Sequence, residues 1–454
     1  MHSFRILLIG VPVLALAATH SRDAAACGGC FVSQTENTQV SSHRMVLSVS
    51  PEETTLWDQI VYAGNPASFG WVLPIKGEVE IGLSSDAMFA ALDVSTQVQI
   101  ASPTINCTPP PSCGGDNLAG DGAAGAGAAG SSGAPPVEVL AHEVVGPYET
   151  VQLKSDDPQA LSNWLADNGY TIPDEVAPVI AAYVAEQFNF LALKLVPGQG
   201  IDAMRPVRVT SAGSSPTLPL RMVAAGTGAV TPITLWVMGE GMYEPTNFAT
   251  FLIDAEDLTW NWDTQSSNFS DLRTQRFADA GGAAWHLEAG EPYSSYSVED
   301  QLSYLVEYET ENSGYGGDVQ SPTVELNQDM AALFGQLDRG NLWVSRLYGE
   351  LSRSALSTDL QLGASAQTPI NRFLQVTKTV GTAPACPTFP PCDDELDGDG
   401  FGDGSNDGFG ADIGGGGGGC ATTEGAAGTA SGLAAMGILA AAATMTARRR
   451  RRNR

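Results

Sequence analysis

The sequence predicts an α+β protein, mostly antiparallel β-sheet with a few packed helices. Short apolar runs rich in Val, Ile, Thr and aromatic residues recur between Gly, Pro and Asn turns, the mark of strands. Segments with helical apolar spacing are few and carry their own start and stop residues. No period of 20–50 residues repeats, which argues against a solenoid or propeller. The 454 residues are 43% hydrophobic and 16% charged, enough for a real core.

In chain order, Phe31 and Val32 continue a Cys-Gly-Gly-Cys start in strand-like fashion. Met45–Val49 and Thr55–Tyr62 read as strands, and Gly64-Asn65-Pro66 reads as the turn of a hairpin returning through Phe69–Ile75. Val94, Thr96, Val98 and Ile100 alternate with polar residues, a half-buried strand pattern. Val137–Val145 and Val151–Leu153 also read as strands. A helix follows, with Ser155 as cap, Pro158 in its first turn, Leu161, Trp164 and Leu165 on one face, and Gly169 as its stop. A second helix starts near Pro178, with Val179, Ile180, Tyr183 and Val184 on one stripe. Phe188–Val196, Val207–Thr210, Leu218–Val223 and Ile233–Met238 continue as strands. Asn327–Leu337 is helical, with Met330, Leu333, Phe334 and Leu337 apolar, and Leu342–Leu347 is a strand. The charged stretch Glu350–Leu362 reads as an exposed face.

Both ends predict export and tethering. Arg5 precedes the 13-residue apolar run Ile6–Ala18, too short to span a bilayer, and Ala24-Ala25-Ala26 offers a cleavage site. Residues 1–26 are therefore expected to be a signal peptide, leaving Cys27 first. Ala24 stands where a lipobox wants a large aliphatic residue, which favours ordinary processing after Ala26 over lipidation of Cys27. At the other end, a Gly run leads to Cys420, then to the uncharged segment Gly425–Ala447 and the cluster Arg448–Arg452 with Arg454. Twenty-three uncharged residues suffice to cross a ~30 Å hydrocarbon core, and the Arg block would stay cytoplasmic. The body would then face outward. This tail resembles the MYXO-CTERM sorting signal, which implies cutting by a membrane protease and an anchoring lipid on Cys420.

Between these ends the body spans 27–385, interrupted by a Gly/Ala/Ser-rich insertion at 114–136. A Cys/Pro loop and acidic stalk follow at 386–419, and the sorting signal occupies 420–454. The formal net charge of −29 becomes −35 when the chain is trimmed to Cys27–Cys420. Such a balance argues against a nucleic-acid partner, where Lys and Arg supply the affinity.

Five motifs stand in order along the body: Cys27-Gly-Gly-Cys30-Phe31, Phe69-Gly-Trp-Val-Leu-Pro74, Val145-Gly-Pro-Tyr-Glu149, Trp164-Leu-Ala-Asp-Asn-Gly-Tyr170 and Phe190-Leu-Ala-Leu-Lys-Leu195. In them the body resembles a family of secreted bacterial proteins known as domain of unknown function 2330, and the likeness is to that family. It covers most of Cys27 to about Val380 and implies no activity, since the family has none assigned.

Apart from Cys420, six cysteines form three close pairs: Cys27/Cys30, Cys107/Cys113 and Cys386/Cys392. In an exported chain they are expected as three local disulfides, with cross-pairing between the two Pro-rich loops as the rival. Redox or zinc use of Cys27/Cys30 lacks a helix start and a second ligand pair.

Motifs for catalysis are missing: there is no HExxH, G-x-S-x-G or P-loop. His43, His142 and His286 are each isolated in sequence. Glu395, Asp397, Asp399 and Asp403 resemble part of a calcium loop, but the closing Glu is replaced by Asn406, so a solvated stalk without a cofactor is expected. Trp260 and Trp262 fall on one side of a strand, as a sugar-stacking platform or as core. The leading expectation is a non-enzymatic, lipid-anchored surface protein with a structural or interaction role. A carbohydrate-binding module is favoured if Trp260 and Trp262 are exposed and coplanar. An envelope hydrolase is favoured if two carboxylates, or His142 or His286 with a carboxylate, converge in a cleft.

Overall fold

A computed structural model describes residues 30–31, 39–63, 70–107, 141–168, 176–196, 204–224, 227–308, 322–366 and 369–388. All of them fall in the first of the two units into which the chain divides, Met1–Phe389. The strands of the two main sheets are, in chain order, β1 (Cys30–Phe31), β2 (Gln39–Val49), β3 (Glu53–Ala63), β4 (Gly70–Ile75), β5 (Val79–Leu83), β6 (Ala141–Val145), β7 (Tyr148–Leu153), β8 (Asn189–Leu195), β9 (Val207–Ala212), β10 (Val230–Gly239), β11 (Ala249–Phe251), β12 (Ala284–Pro292) and β13 (Trp343–Ser352). The helices are α1 (Asp86–Thr96), α2 (Pro158–Asp167), α3 (Ala177–Ala185), α4 (Leu220–Ala224), α5 (Phe269–Asp279), α6 (Ser295–Tyr308) and α7 (Pro322–Phe334).

The larger sheet has eight strands in the order β11-β12-β13-β10-β2-β3-β9-β5, and the smaller has five, β1-β4-β8-β7-β6. Within them only β10/β2 and β11/β12 pair parallel, so the α+β expectation with antiparallel sheet dominant holds. Alternation along β2 and β3 builds two cores. Val46 and Trp57 point to one face, where Met88, Phe89 and Leu92 of α1, Val298 and Leu302 of α6, and Leu333 and Phe334 of α7 cover them. Met45, Leu47 and Val49 point to the other, against α4 and buried Leu356 and Leu360. Next to that core, Val207 and Val209 of β9 pack on Trp71, Leu73, Leu191 and Leu193 of the smaller sheet. Its outer face carries α2 and α3 through Val72, Leu165, Ile180 and Phe190. The layers run helix, sheet, sheet, helix.

The hairpin forms elsewhere than expected. β2 turns into β3 through Ser50-Pro-Glu-Glu53, where Ser50 N–H donates to the Glu53 carbonyl (3.0 Å) and the Ser50 hydroxyl bonds both backbone groups of Glu53. β4 does not return along β3. All six of its residues are buried, and such a strand is satisfied only at the centre of a sheet, here between β1 and β8.

The expected strand at 94–100 is mostly helix end: Thr96 closes α1, and only Gln99–Ala101 is strand. The Ser85 side chain caps α1 by accepting from Met88 N–H, and the buried run Ala87, Met88, Phe89, Ala91 and Leu92 continues it. The cap of α2 is Asp157, accepting from Gln159 N–H (2.9 Å), while Ser155 folds the turn before it, and the helix ends at Asp167 with Asn168 at its C-cap. Leu218–Val223 is not one strand: Thr217–Leu218 pairs in a small sheet, and Pro219 precedes α4. The 327–337 helix starts earlier and ends earlier, at Pro322 and Phe334. Glu350–Leu362 is not simply exposed, since Leu351, Leu356 and Leu360 are fully buried.

The local disulfide scheme fails at Cys107 and Cys386, which bond to each other across 279 residues with Cα atoms 5.4 Å apart. Gln99–Ala101 pairs parallel with Phe373–Gln375, so the segments that follow run out of the body together. Cys107–Cys113 and Cys386–Cys392 are thereby both excluded. Cys27, Cys113 and Cys392 lie outside the described residues, as does the side chain of Cys30. So do Ala26, the 114–136 insertion, the stalk with Glu395, Asp397, Asp399 and Asp403, and Cys420 with the 425–447 segment. Among the described residues no helix is long and apolar enough to cross a membrane.

Asp329 of α7 ties the layers. It is fully buried and accepts from the Trp57 indole (2.9 Å), the Arg208 guanidinium (2.7 Å) and the Ser84 hydroxyl (2.6 Å). Asp329→Ala leaves Arg208 buried without its counter-charge, and urea unfolding should show a loss of about 3–5 kcal/mol. Non-reducing peptide mapping should recover Cys107 joined to Cys386; a Cys107–Cys113 peptide would contradict that long-range bond.

Candidate functional site

Residue 58 is a carboxylate where the β3 alternation calls for an apolar side chain. Leu56 and Ile60 flank it on the same face, both packed into the core between the sheets. Asp58 is 4% exposed, and its register partners are Met45 and Val207. Its compensation comes from His43 of β2, also fully buried, whose Nδ1 stands 3.1 Å from Asp58 Oδ1. A carboxylate accepts, so the proton sits on Nδ1; Nε2 is buried without a partner.

Asp58 lines a cavity of about 270 Å³ at the edge of the inter-sheet core. Trp71 of β4, Leu193 of β8 and Val207 of β9 form apolar walls, and Asp86, the first residue of α1, stands at its rim. Gln59 bridges to that rim, donating from Nε2 to Asp86 Oδ1 (2.5 Å), while its Oε1 is buried with no donor. Arg205 also lines the cavity, with three of its five donors engaged: Nε to the Ser84 carbonyl (3.1 Å) and one N–H of each terminal nitrogen to Glu325 (3.1 and 2.7 Å). Tyr148 holds the Arg205 backbone, its hydroxyl donating to the carbonyl (2.7 Å) and accepting from the N–H (2.9 Å). The lining thus offers acceptors, an apolar wall, and no Ser, Thr, Cys or Lys nucleophile.

A second histidine–carboxylate pair is sealed in the core. His286 is 1% exposed, stacks on Phe251 (5.0 Å, 7°) and places Nδ1 3.5 Å from Glu288 Oε1, too long for a good hydrogen bond. Glu288 also accepts from Arg346 (2.7 Å) and Arg273 (3.2 Å), and Arg346 reaches Asp93 (2.7 Å). Burial pushes the Glu288 carboxyl up, but His286 and Arg346 outweigh it and hold it at about 2. With both side chains closed to solvent, 2% and 4% exposed, the pair is not presented at a surface as a His286 hydrolase site requires.

His142 lies on β6, its side chain outside the described residues. The condition for a sugar platform is also unmet. Trp260 and Trp262 are half-buried and meet edge to face at 72°, with Trp260 packed on the small core of Ile253, Leu258, Leu374 and Val376. Among the described residues no group of three or more His, Cys, Asp or Glu is placed to hold a metal ion.

The cavity walls carry motifs that the sequence ties together, the Trp71 and Tyr148 segments among them. A family model described as an uncharacterized protein conserved in bacteria, DUF2330, matches residues 21–320. The chain belongs to DUF2330. The match stops short of α7 and β13, although β13 lies inside the eight-stranded sheet between β12 and β10. The DUF2330 fold in this chain is therefore completed by residues beyond the matched span, Asp329 included. Comparison with curated proteins found no match, and neither did comparison with solved structures.

Sequence reasoning set His43 aside as isolated and passed over Asp58, Gln59 and Asp86. The signal for Asp58 was present, a charge amid Leu56-Trp57 and Ile60-Val61; the signal for His43 was not, since its partner lies on the neighbouring strand. Because Glu288 is depressed from 4.5 to about 2 in the fold, it stabilises above pH 4.5, and that contribution fades as pH falls toward 2. Glu288→Gln should cost about 3 kcal/mol at pH 7 and flatten the acid limb of stability, as read by urea midpoints at pH 7 and pH 3.

Proposed function

We propose that this DUF2330 protein is exported, tethered to the cell surface through Cys420, and works there as a non-enzymatic interaction module. The observation that carries the binding role is the inter-sheet cavity, which sets a buried carboxylate against apolar walls with no Ser, Thr, Cys or Lys in its lining. The export and tether rest on the terminal signals, and the acidic balance of −29 suits a soluble surface that repels anionic partners. The tail-processing protease and the membrane are the partners this reading requires. The stalk at 386–419 holds the body away from the bilayer by self-repulsion of its eight acids.

A second reading, an envelope hydrolase, is favoured by one observation, that Asp58 and Asp86 line the same cavity. It would be established by turnover of an envelope glycan or peptide that both Asp58→Asn and Asp86→Asn abolish. For the leading reading, Cys420→Ser should move the protein from the membrane fraction to the medium. Retention in the membrane fraction unchanged by that substitution would defeat the tether.

A further inference from the structure

Strand β3 keeps one stretch of open edge, and the inter-sheet cavity lies along it. Asp58 and Gln59 are neighbours on β3 whose side chains point to opposite faces of the sheet, yet both line this cavity. One space touches both only at the edge of the strand. The ladder shows which backbone groups stand there. Ser50 N–H donates to the Glu53 carbonyl at the β2–β3 turn, and that bond sets the phase. Glu53, Thr55, Trp57 and Gln59 turn their N–H and C=O toward β2, while Thr54, Leu56, Asp58 and Ile60 turn theirs away from it. β9 answers Thr54, Leu56 and Asp58 with Ser211, Val209 and Val207, and its pairing ends there, although β3 runs on to Ala63. The same register would set Arg205 opposite Ile60. Instead the Tyr148 hydroxyl takes both backbone groups of Arg205 (2.7 and 2.9 Å), and the Pro206 carbonyl accepts from Ser84 N–H (2.9 Å). The chain is thereby drawn off β3. Ile60 N–H and C=O face the cavity with no hydrogen-bond partner on that side among the described residues.

A backbone donor and acceptor held side by side match one residue of an extended chain. A residue opposite Ile60 sends its side chain to the face of Ile60, where Trp71, Leu193 and Val207 stand. Its neighbours project to the other face, toward Gln59 and the exposed Asp86. On a chain of net charge −29, basic neighbours suit that rim. About 270 Å³ receives a side chain with a short stretch of backbone, not a folded domain.

We infer that a peptide segment of a partner protein adds to β3 at Ile60 as a short antiparallel strand, with one apolar side chain against Trp71 and Leu193 and a basic neighbour at Asp86. The inference rests on the reading of this cavity as the binding site and names its class of partner.

The test is calorimetry and amide hydrogen exchange on the full chain. The probes are the acetylated pentapeptide amide Thr-Lys-Val-Lys-Thr, the same peptide N-methylated at Val, a form with Asp in place of Val, and indole. The Val peptide should bind and slow exchange of the Ile60 amide. N-methylation removes the N–H that the Ile60 carbonyl would accept and should weaken binding at least roughly tenfold, as should Asp in place of Val. Asp86→Asn should weaken the Val peptide roughly twofold to fivefold with an unchanged circular dichroism spectrum. Equal binding of the N-methylated peptide, or binding of indole and of no peptide, would overturn strand addition while leaving the cavity a binding site. An Ile60 amide protected in the free chain as strongly as that of Trp57 would show the edge already covered, and would overturn the partner. No binding by any probe would overturn both strand addition and the binding site.

Discussion

The site depends on a carboxylate that is not part of it. Asp329 is buried on α7, and a charge there is tolerable only with its partners in place. Its three donors come from β3, from β9 and from the turn before α1. Trp57 and Arg208 are register partners, as are Asp58 and Val207, the next pair along the same two strands. Fixing Trp57 and Arg208 from the helix side therefore fixes Asp58 and Val207 on the cavity side. Ser84, the third donor, precedes the Ser85 cap and Asp86, so the same carboxylate sets where the rim stands.

Gly82 shows how tight this arrangement is. It is the register partner of Arg208 on β5, and a Cβ there would meet the guanidinium at 2.5 Å from its terminal nitrogen. Any side chain at 82 would compete with Arg208 for the space that lets it reach Asp329. A small residue on an edge strand thus serves an ion pair one strand away. The same ion pair holds helix to sheet across the layer that carries the largest buried aromatics.

The parts of this fold that were legible in the sequence are those decided within one element. Val207–Val209, Ile233–Met238 and the stripe of α3 declare themselves by period, and Pro158 and Pro178 mark helix starts because a first turn needs no N–H there. What was illegible was decided by partners. Gly64-Asn65-Pro66 has the chemistry of a hairpin turn, yet β4 is apolar on both faces and goes to the sheet that buries both. α5 buries Phe277 and packs Phe269 and Leu272 on a small separate core, and among its described side chains α6 buries Val298 and Leu302 between Ser, Glu, Asp and Gln, so neither shows one clean stripe in the sequence. The Asp58 site needed the pairing of β2 with β3 in its actual register, because His43 reaches Asp58 across the strands and not along them.

The cross-link has a consequence for a tethered molecule. In the proposed surface form, any pull on the anchor enters the body where the stalk begins, at Cys386. Behind it stand two pairs of three residues on each side, Lys378–Val380 with Thr259–Asn261 and Phe373–Gln375 with Gln99–Ala101, and pairs so short would peel under load. The Cys107–Cys386 bond lies between these pairs and the stalk, so force passes by a covalent route to the segment behind α1 before it reaches the hydrogen bonds. Leu374 and Val376 are plugged into a small core with Trp260, Ile253 and Leu258, which fastens the inner side of the same exit. Trp260 then has a use that accounts for its half-buried setting: it packs on the small core at the exit of the chain.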